Sequence, residues 1–224
     1  MARGAKVKNG EAQGDGDRRE AILDAASRLF AECGFADADT QQLADILQVG
    51  KGTLYRHFPS KREMFLAAAD RVMRRLQEHV EASLEGVEEP LEQVRRGIRA
   101  FLEFFAGHPE YVELIVQERA QFKDRDKPTY LEHRERIIER WRELYRGLIA
   151  AGRVRPMPVE RITDVVAAAI YGAMFLNYSS GRSGAFAAGA DEIVDVIFFG
   201  ILSDDERRRR GLGGSAAPSS KGGR

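Results

Sequence analysis

Apolar residues recur three and four positions apart through most of the chain between its two ends, and no stretch sustains period-two alternation between hairpin-type turns. That pattern predicts an all-α protein. Ile22, Ala26, Leu29, Phe30 and Cys33 fall on one side of a helix over 18–33, and Leu43, Ile46 and Leu47 on one side of a second over 40–47. Leu54 and Phe58, one turn apart, form the inward face of a third over 51–58. Its other faces carry the pairs Lys51/Tyr55, Gly52/Arg56 and Thr53/His57, all able to contact a polar partner. A helix this short is not stable alone in water, so the two upstream stripes must clamp it from behind.

A fourth helix is expected over 60–83, and longer ones at about 91–106, from Pro109, and over 128–151, 159–179 and 191–207. Three early starts share a capping signature: Asp17-x-x-Glu20, Asp39-x-x-Gln42 and Ser60-x-x-Glu63. Prolines in first turns and glycines at ends (Gly107, Gly152, Gly181) punctuate the later ones. Phe122 to Lys127, with five of six residues charged, reads as an exposed connection. Residues 1–16 and 209–224, rich in small and polar residues, lack material for a core and are expected to be disordered tails. The remainder divides into 17–64, a connecting helix over 60–83, and 84–208.

Composition changes this picture in three ways. The 35 basic residues balance the 35 acidic ones, so attraction to nucleic acid must come from local clustering. From Gln48 to Arg75 seven basic residues (Lys51, Arg56, Lys61, Arg62, Arg71, Arg74, Arg75) face two acidic ones (Glu63, Asp70), which supplies it. The single cysteine, Cys33, excludes an intramolecular disulfide framework, fits a reducing cytoplasm, and is expected to be a small core residue. The longest apolar run, Val165 to Leu176, is shorter than the roughly 20 residues a bilayer requires, so a cytoplasmic protein with no membrane contact is expected. The four histidines, His57, His79, His108 and His133, have no metal-ligand spacing, and no phosphate-cradling loop or activated nucleophile is present. No catalytic residue, metal or cofactor is therefore assigned, and His133, between acidic neighbours, reads as a solvated helix residue.

The combination Ala26-x-x-Leu29-Phe30-x-x-x-Gly34-Phe35, then Leu43-Ala44, then Lys51-Gly52-Thr53-Leu54-Tyr55-x-x-Phe58-x-x-Lys61 resembles the DNA-binding domain of the TetR/AcrR family of bacterial transcriptional repressors. The resemblance implies an N-terminal three-helix helix-turn-helix domain followed by a helical ligand-binding and dimerisation domain. It also implies that the helix from Lys51 enters the major groove while the helix from Thr40 aims its amides at a phosphate. Thr40 would anchor the DNA backbone, Lys51 and Lys61 supply phosphate charge, Tyr55 and His57 contact phosphate or sugar, and Gly52 permits close approach. Gln41, Thr53 and Arg56 are the candidates for base edges; for Arg56 a guanine fork and a plain phosphate contact both fit. Two positions depart from the family pattern: Gln48 stands where most relatives have glycine, and Gly50 where they have serine. Positive φ at Gln48 would carry local strain, and a serine hydroxyl bond to phosphate is lost.

Family members typically pair through their last two helices. The small surface of Ala168 and Gly172, with Val194, Ile197, Phe198 and Ile201 on the last helix, is the expected homodimer interface. Glu118, Trp141, Tyr145, Tyr171 and Phe175 are the expected lining of a small-molecule pocket. The implied function is a dimeric regulator, a repressor on a palindromic double-stranded operator, released by a small lipophilic effector. A ligand-independent regulator and a protein-interaction module that merely retains the helix-turn-helix shape are the alternatives.

Overall fold

The computed structural model describes residues 4–181 and 186–200, and within them nine helices and no strand. They are α1 (Gly4–Asp37), α2 (Thr40–Ile46), α3 (Lys51–His57), α4 (Lys61–Ser83), α5 (Pro90–Gly107), α6 (Pro109–Gln121), α7 (Thr129–Ala150), α8 (Val159–Ser179) and α9 (Phe186–Phe199). The all-α expectation holds, and most boundaries fall within two residues of those read from the periodicity.

The two ends differ. α1 begins at Gly4, so helix occupies positions where a tail over 1–16 was expected. Extending an existing helix needs only propagation, which costs far less than nucleation; Glu11, Ala12 and Gln13 favour it and Gly10, Gly14 and Gly16 oppose it. Asp17 accordingly lies inside the helix and does not cap its start. α9 starts at Phe186 rather than 191 and stops at Gly200, whose φ of 71° ends it. The second expected tail, 209–224, lies outside the described residues.

α1, α2 and α3 pack around Ile22, Leu23, Ala26, Phe30, Leu43, Ala44, Leu54 and Phe58. Gly34, with φ 78° and ψ 161°, breaks α1 near its end, a conformation open to glycine but not to a side chain. Two residues assigned to the inward stripes face water instead. Cys33 is exposed, being at the last turn before that break. Ile46, the last residue of α2, is 62% exposed.

The two halves of the molecule are joined by an aromatic cluster. Phe35 and Phe65 meet Phe122 edge-on with ring centroids 4.9 and 5.3 Å away. Phe122 is thus buried, although the charged residues that follow it do form an exposed connection. Lys61 lies 5.0 Å over Phe35, and Arg62 4.9 Å over Phe122 while also pairing with Asp124.

A buried charge reinforces the same junction. Arg71 of α4 is 3% exposed and bonds Glu20 and, at 2.7 Å, Asp24, both on α1. Burial alone would weaken its protonation, but the bonds it donates to Asp24 and Glu20 outweigh this and hold it firmly charged. Arg71 therefore staples α4 to α1 and adds nothing to the exposed basic charge. α4 continues into the second half and packs on α5, α6 and α7, so one 23-residue rod is common to both.

Candidate nucleic-acid interface and buried cavity

The turn between α2 and α3 is built from backbone bonds. Val49 N–H donates to Ala44 O at 2.9 Å and Gln48 N–H to Asp45 O at 3.1 Å, closing α2 with a left-handed residue at Gln48, φ 53°. Gln48 is thus strained as its departure from glycine predicts. Gly50 occupies the N-cap of α3 with no side-chain bond, and its carbonyl accepts from Thr53 N–H at 2.8 Å. Asp39 caps α2 by accepting from Gln41 N–H at 2.7 Å, and that bond holds its carboxyl below the usual carboxylate range. Ser60 caps α4 through Glu63 N–H at 3.1 Å.

This turn presents α3 with Leu54 and Phe58 buried and Lys51, Gly52 and Arg56 exposed. Thr53 is half-buried and Tyr55 40% exposed. Tyr55 is steadied by Thr40, their hydroxyls 3.1 Å apart across the two helices. Thr40 is buried, so its hydroxyl serves α3. Gln41 is exposed beside it, its amide donating to Asp45 at 2.8 Å. Lys51 sits 3.4 Å from Asp39, and Arg56 has no carboxylate partner among the described residues.

Two expected contacts are displaced. The His57 side chain is only 5% exposed, with Nε2 3.6 Å from Asp15 and no hydrogen bond among the described residues. The upstream extension of α1 puts Asp15 there, so His57 does not share the exposed face of Tyr55 and Arg56. Lys61 Nζ donates to Ala36 O at 3.0 Å and closes the end of α1. The basic cluster is also smaller than its count: Arg62, Arg71, Arg74 and Arg75 are engaged with Asp124, Glu20, Asp24, Asp70 and Tyr111. The Asp70–Arg74 pair, four apart on α4, is visible in the sequence, but charge counting could not separate the others, because ion pairs between distant segments leave no local spacing.

A cavity of about 310 Å³ opens between α4, α5, α7 and α8. Met73, Leu76, Val80, Val94, Ile98, Phe101, Ile137 and Ile170 supply apolar walls, and Trp141, Tyr145 and Tyr171 line it as expected from sequence. Trp141 lies directly on Gly97: a Cβ there would fall 2.6 Å from Cη2. The Tyr145 hydroxyl is buried without a partner among the described residues, and burial pushes its ionisation up to about 12.

Two of the expected lining residues are elsewhere. Glu118, in the last turn of α6, is buried against the start of α7, accepting from Thr129 N–H at 2.8 Å and Thr129 Oγ1 at 2.7 Å, so it caps that helix. Phe175 packs against the core but does not line the cavity. Conversely His133 is buried, lines the cavity and holds Asp70 of α4 at 2.8 Å, contrary to the solvated reading. Its place one turn before Ile137 on the apolar face of α7 was the available signal.

The outer face of α8 and α9 is apolar. Val165, Ala168 and Leu176 are exposed along α8, Gly172 is half-buried between them, and Val196 and Phe199 are exposed on α9. Val194, expected at a subunit interface, is buried, and Ile197 and Phe198 pack against the core of their own subunit. α9 turns that edge toward α5, where Asp191 pairs with Arg99. Ile201 lies outside the described residues.

Residues 22–68 match the family described as bacterial regulatory proteins, tetR family, and residues 87–176 match a tetracyclin repressor-like C-terminal domain. Among curated proteins, the chain is 28% identical over 140 residues to the HTH-type transcriptional regulator EthR of Mycolicibacterium smegmatis, covering 62% of each protein. The match thus spans less than two thirds of that relative's length. Among solved structures, the TetR family transcriptional regulator PfmR from Thermus thermophilus superposes with TM-score 0.66 at 25% identity, covering 81% of this chain and 96% of that one. FadR from Bacillus subtilis, solved in complex with stearoyl-CoA, gives TM-score 0.67 at 16% identity, covering 82% and 99%. The fold is shared with both of these solved regulators. Among the described residues no helix is long and apolar enough to cross a membrane.

Proposed function

The chain belongs to the TetR family of bacterial regulatory proteins, and from that premise we propose that it is an effector-responsive repressor that binds a palindromic operator as a homodimer. The observation that carries this reading is α3, backed by Leu54 and Phe58 and presenting Lys51, Thr53, Tyr55 and an Arg56 with no carboxylate partner among the described residues. Arg56, Thr53 and Gln41 read base edges, while Lys51 and the close approach at Gly52 hold the phosphate backbone. Thr40 acts through Tyr55. His57 and Lys61 position α3 and α4 through their contacts with α1.

Dimerisation follows from the face of Val165, Ala168, Gly172, Leu176, Val196 and Phe199. Two copies of it form a four-helix interface, replacing the one centred on Val194. A dimer places two reading helices on half-sites one turn of DNA, roughly 34 Å, apart or a multiple of that. DNA as a partner puts the protein in the cytoplasm, and no step of this function is catalytic.

The effector is a small lipophilic molecule held in the cavity between α4, α5, α7 and α8. Its apolar walls support this, as does the ligand of the FadR structure, which is an acyl thioester. α4 carries Met73, Leu76 and Val80 into the cavity and begins immediately after α3, so a ligand that shifts α4 changes the spacing of the two reading helices. Selection of bound fragments from genomic DNA tests the proposal. Recovered sites should share an inverted repeat with its half-sites on one face of the duplex. Recovery of fragments with no common symmetric site overturns it.

A further inference from the structure

We infer that the effector carries an anionic head group, and that Arg136 and Arg140 of α7 are the residues that receive it. The inference rests on the cavity being the effector site and adds the chemistry of what enters. Both arginines line that cavity, one helical turn apart, and both are exposed. Neither has a carboxylate partner among the described residues; the close polar neighbour of Arg136 is the His133 ring nitrogen at 3.5 Å.

That is unusual on α7. Arg134 pairs with Asp164, and Arg142 and Arg146 pair with Glu139, so the arginines elsewhere on this stretch are mostly neutralised. Arg140 also lines a second, more open cleft of about 400 Å³, with Pro90, Gln93, Glu143, Leu144 and Arg153, where Glu143 pairs with Arg146 and Arg153 with Glu89, and so stands at the mouth between the two. Inside, the Tyr145 hydroxyl, without a partner among the described residues, offers one buried donor to an oxygen of the ligand. An apolar chain among Ile98, Phe101 and Ile137, an oxygen at Tyr145 and a negative head at the two guanidinium groups together satisfy these unpaired groups. A carboxylate and a phosphate ester share this chemistry.

Trp141 is the single tryptophan of the chain and lines the cavity, so its fluorescence reports occupancy. The full-length protein is titrated below micelle concentrations with dodecanol, dodecanoate and dodecyl phosphate, and so are the R136Q/R140Q and R136K/R140K variants. The wild type should bind at least one of the anionic probes roughly tenfold or more tighter than the alcohol, the tighter of the two identifying the head group. R136Q/R140Q should lose that preference while keeping its affinity for dodecanol, and R136K/R140K should retain part of it. Equal affinity for alcohol and anions, or a preference that survives in R136Q/R140Q, overturns the head-group assignment and leaves the cavity as the effector site. No response of Trp141 to any probe overturns both.

Discussion

The side-chain oxygen of Gln117, on α6, accepts the backbone N–H of Phe35 at 2.9 Å, just beyond the break in α1. The same amide donates to Phe30 O at 3.0 Å and to Glu113 at 2.8 Å, and Glu113 in turn accepts from the Tyr178 hydroxyl of α8. A continuous polar chain thus runs from the proposed dimer helix to the DNA-binding half. Burial and the neighbouring Glu113 push Tyr178 ionisation up to about 12, so the hydroxyl remains a donor at neutral pH.

Replacing Gln117 by alanine leaves the Phe30 carbonyl and Phe35 amide without their side-chain partner. Unfolding in urea should show a loss of about 1–3 kcal/mol, the usual cost of stranding partly buried backbone groups. An unchanged midpoint would mean water replaces the amide at no cost.

Gln48 predicts a change of the opposite sign. A non-glycine residue in the left-handed region costs roughly 1–2 kcal/mol, so Gln48→Gly should raise stability by up to about 1 kcal/mol after the added entropy of glycine in the unfolded chain. Thermal unfolding measures it. Destabilisation would show that the glutamine side chain contributes more than the strain removes.

Glu92 sets a pH dependence. Hydrogen bonds from Arg95 and then Arg96 pull its carboxyl from 4.5 to about 2. A depressed folded-state value means the stabilisation is fully present above the unfolded value and fades as pH falls through the folded one. Wild type should therefore exceed E92Q in stability at neutral pH, with the gap closing from pH 4.5 toward about 2. A gap that stays constant over that window would deny the ionic origin.

The exposed stripe on α8 and α9 carries the dimer proposal, with Leu176 72% and Phe199 63% exposed. Leu176→Glu should shift sedimentation equilibrium from dimer toward monomer while leaving the helical circular dichroism unchanged. A variant that stays fully dimeric would place the interface elsewhere.

The parts legible in the sequence are those governed by local rules. Helical period located α2 to α8, Ser60 and Asp39 marked their caps, and Leu54 and Phe58 fixed which side of α3 faces out. What stayed hidden depends on distant partners. Nothing near Glu118 in the sequence shows that it caps α7 through Thr129, or that Asp70 waits on α4 for His133. Arg71 and Arg56 look alike in sequence, yet one is buried between two carboxylates and the other has none among the described residues. His57 falls on a polar face by periodicity, yet its side chain is covered and lies 3.6 Å from Asp15, upstream of the expected start of α1.

The most direct measurement is the affinity of wild type and Arg56→Ala for a selected duplex and a random one across a range of salt concentrations. Wild-type affinity should fall linearly in logarithmic coordinates, and Arg56→Ala should lose roughly 1–3 kcal/mol of discrimination between the two duplexes. Binding that ignores salt, or an Arg56→Ala protein that separates the two duplexes as well as the wild type does, would contradict a DNA-reading role for the exposed face of α3.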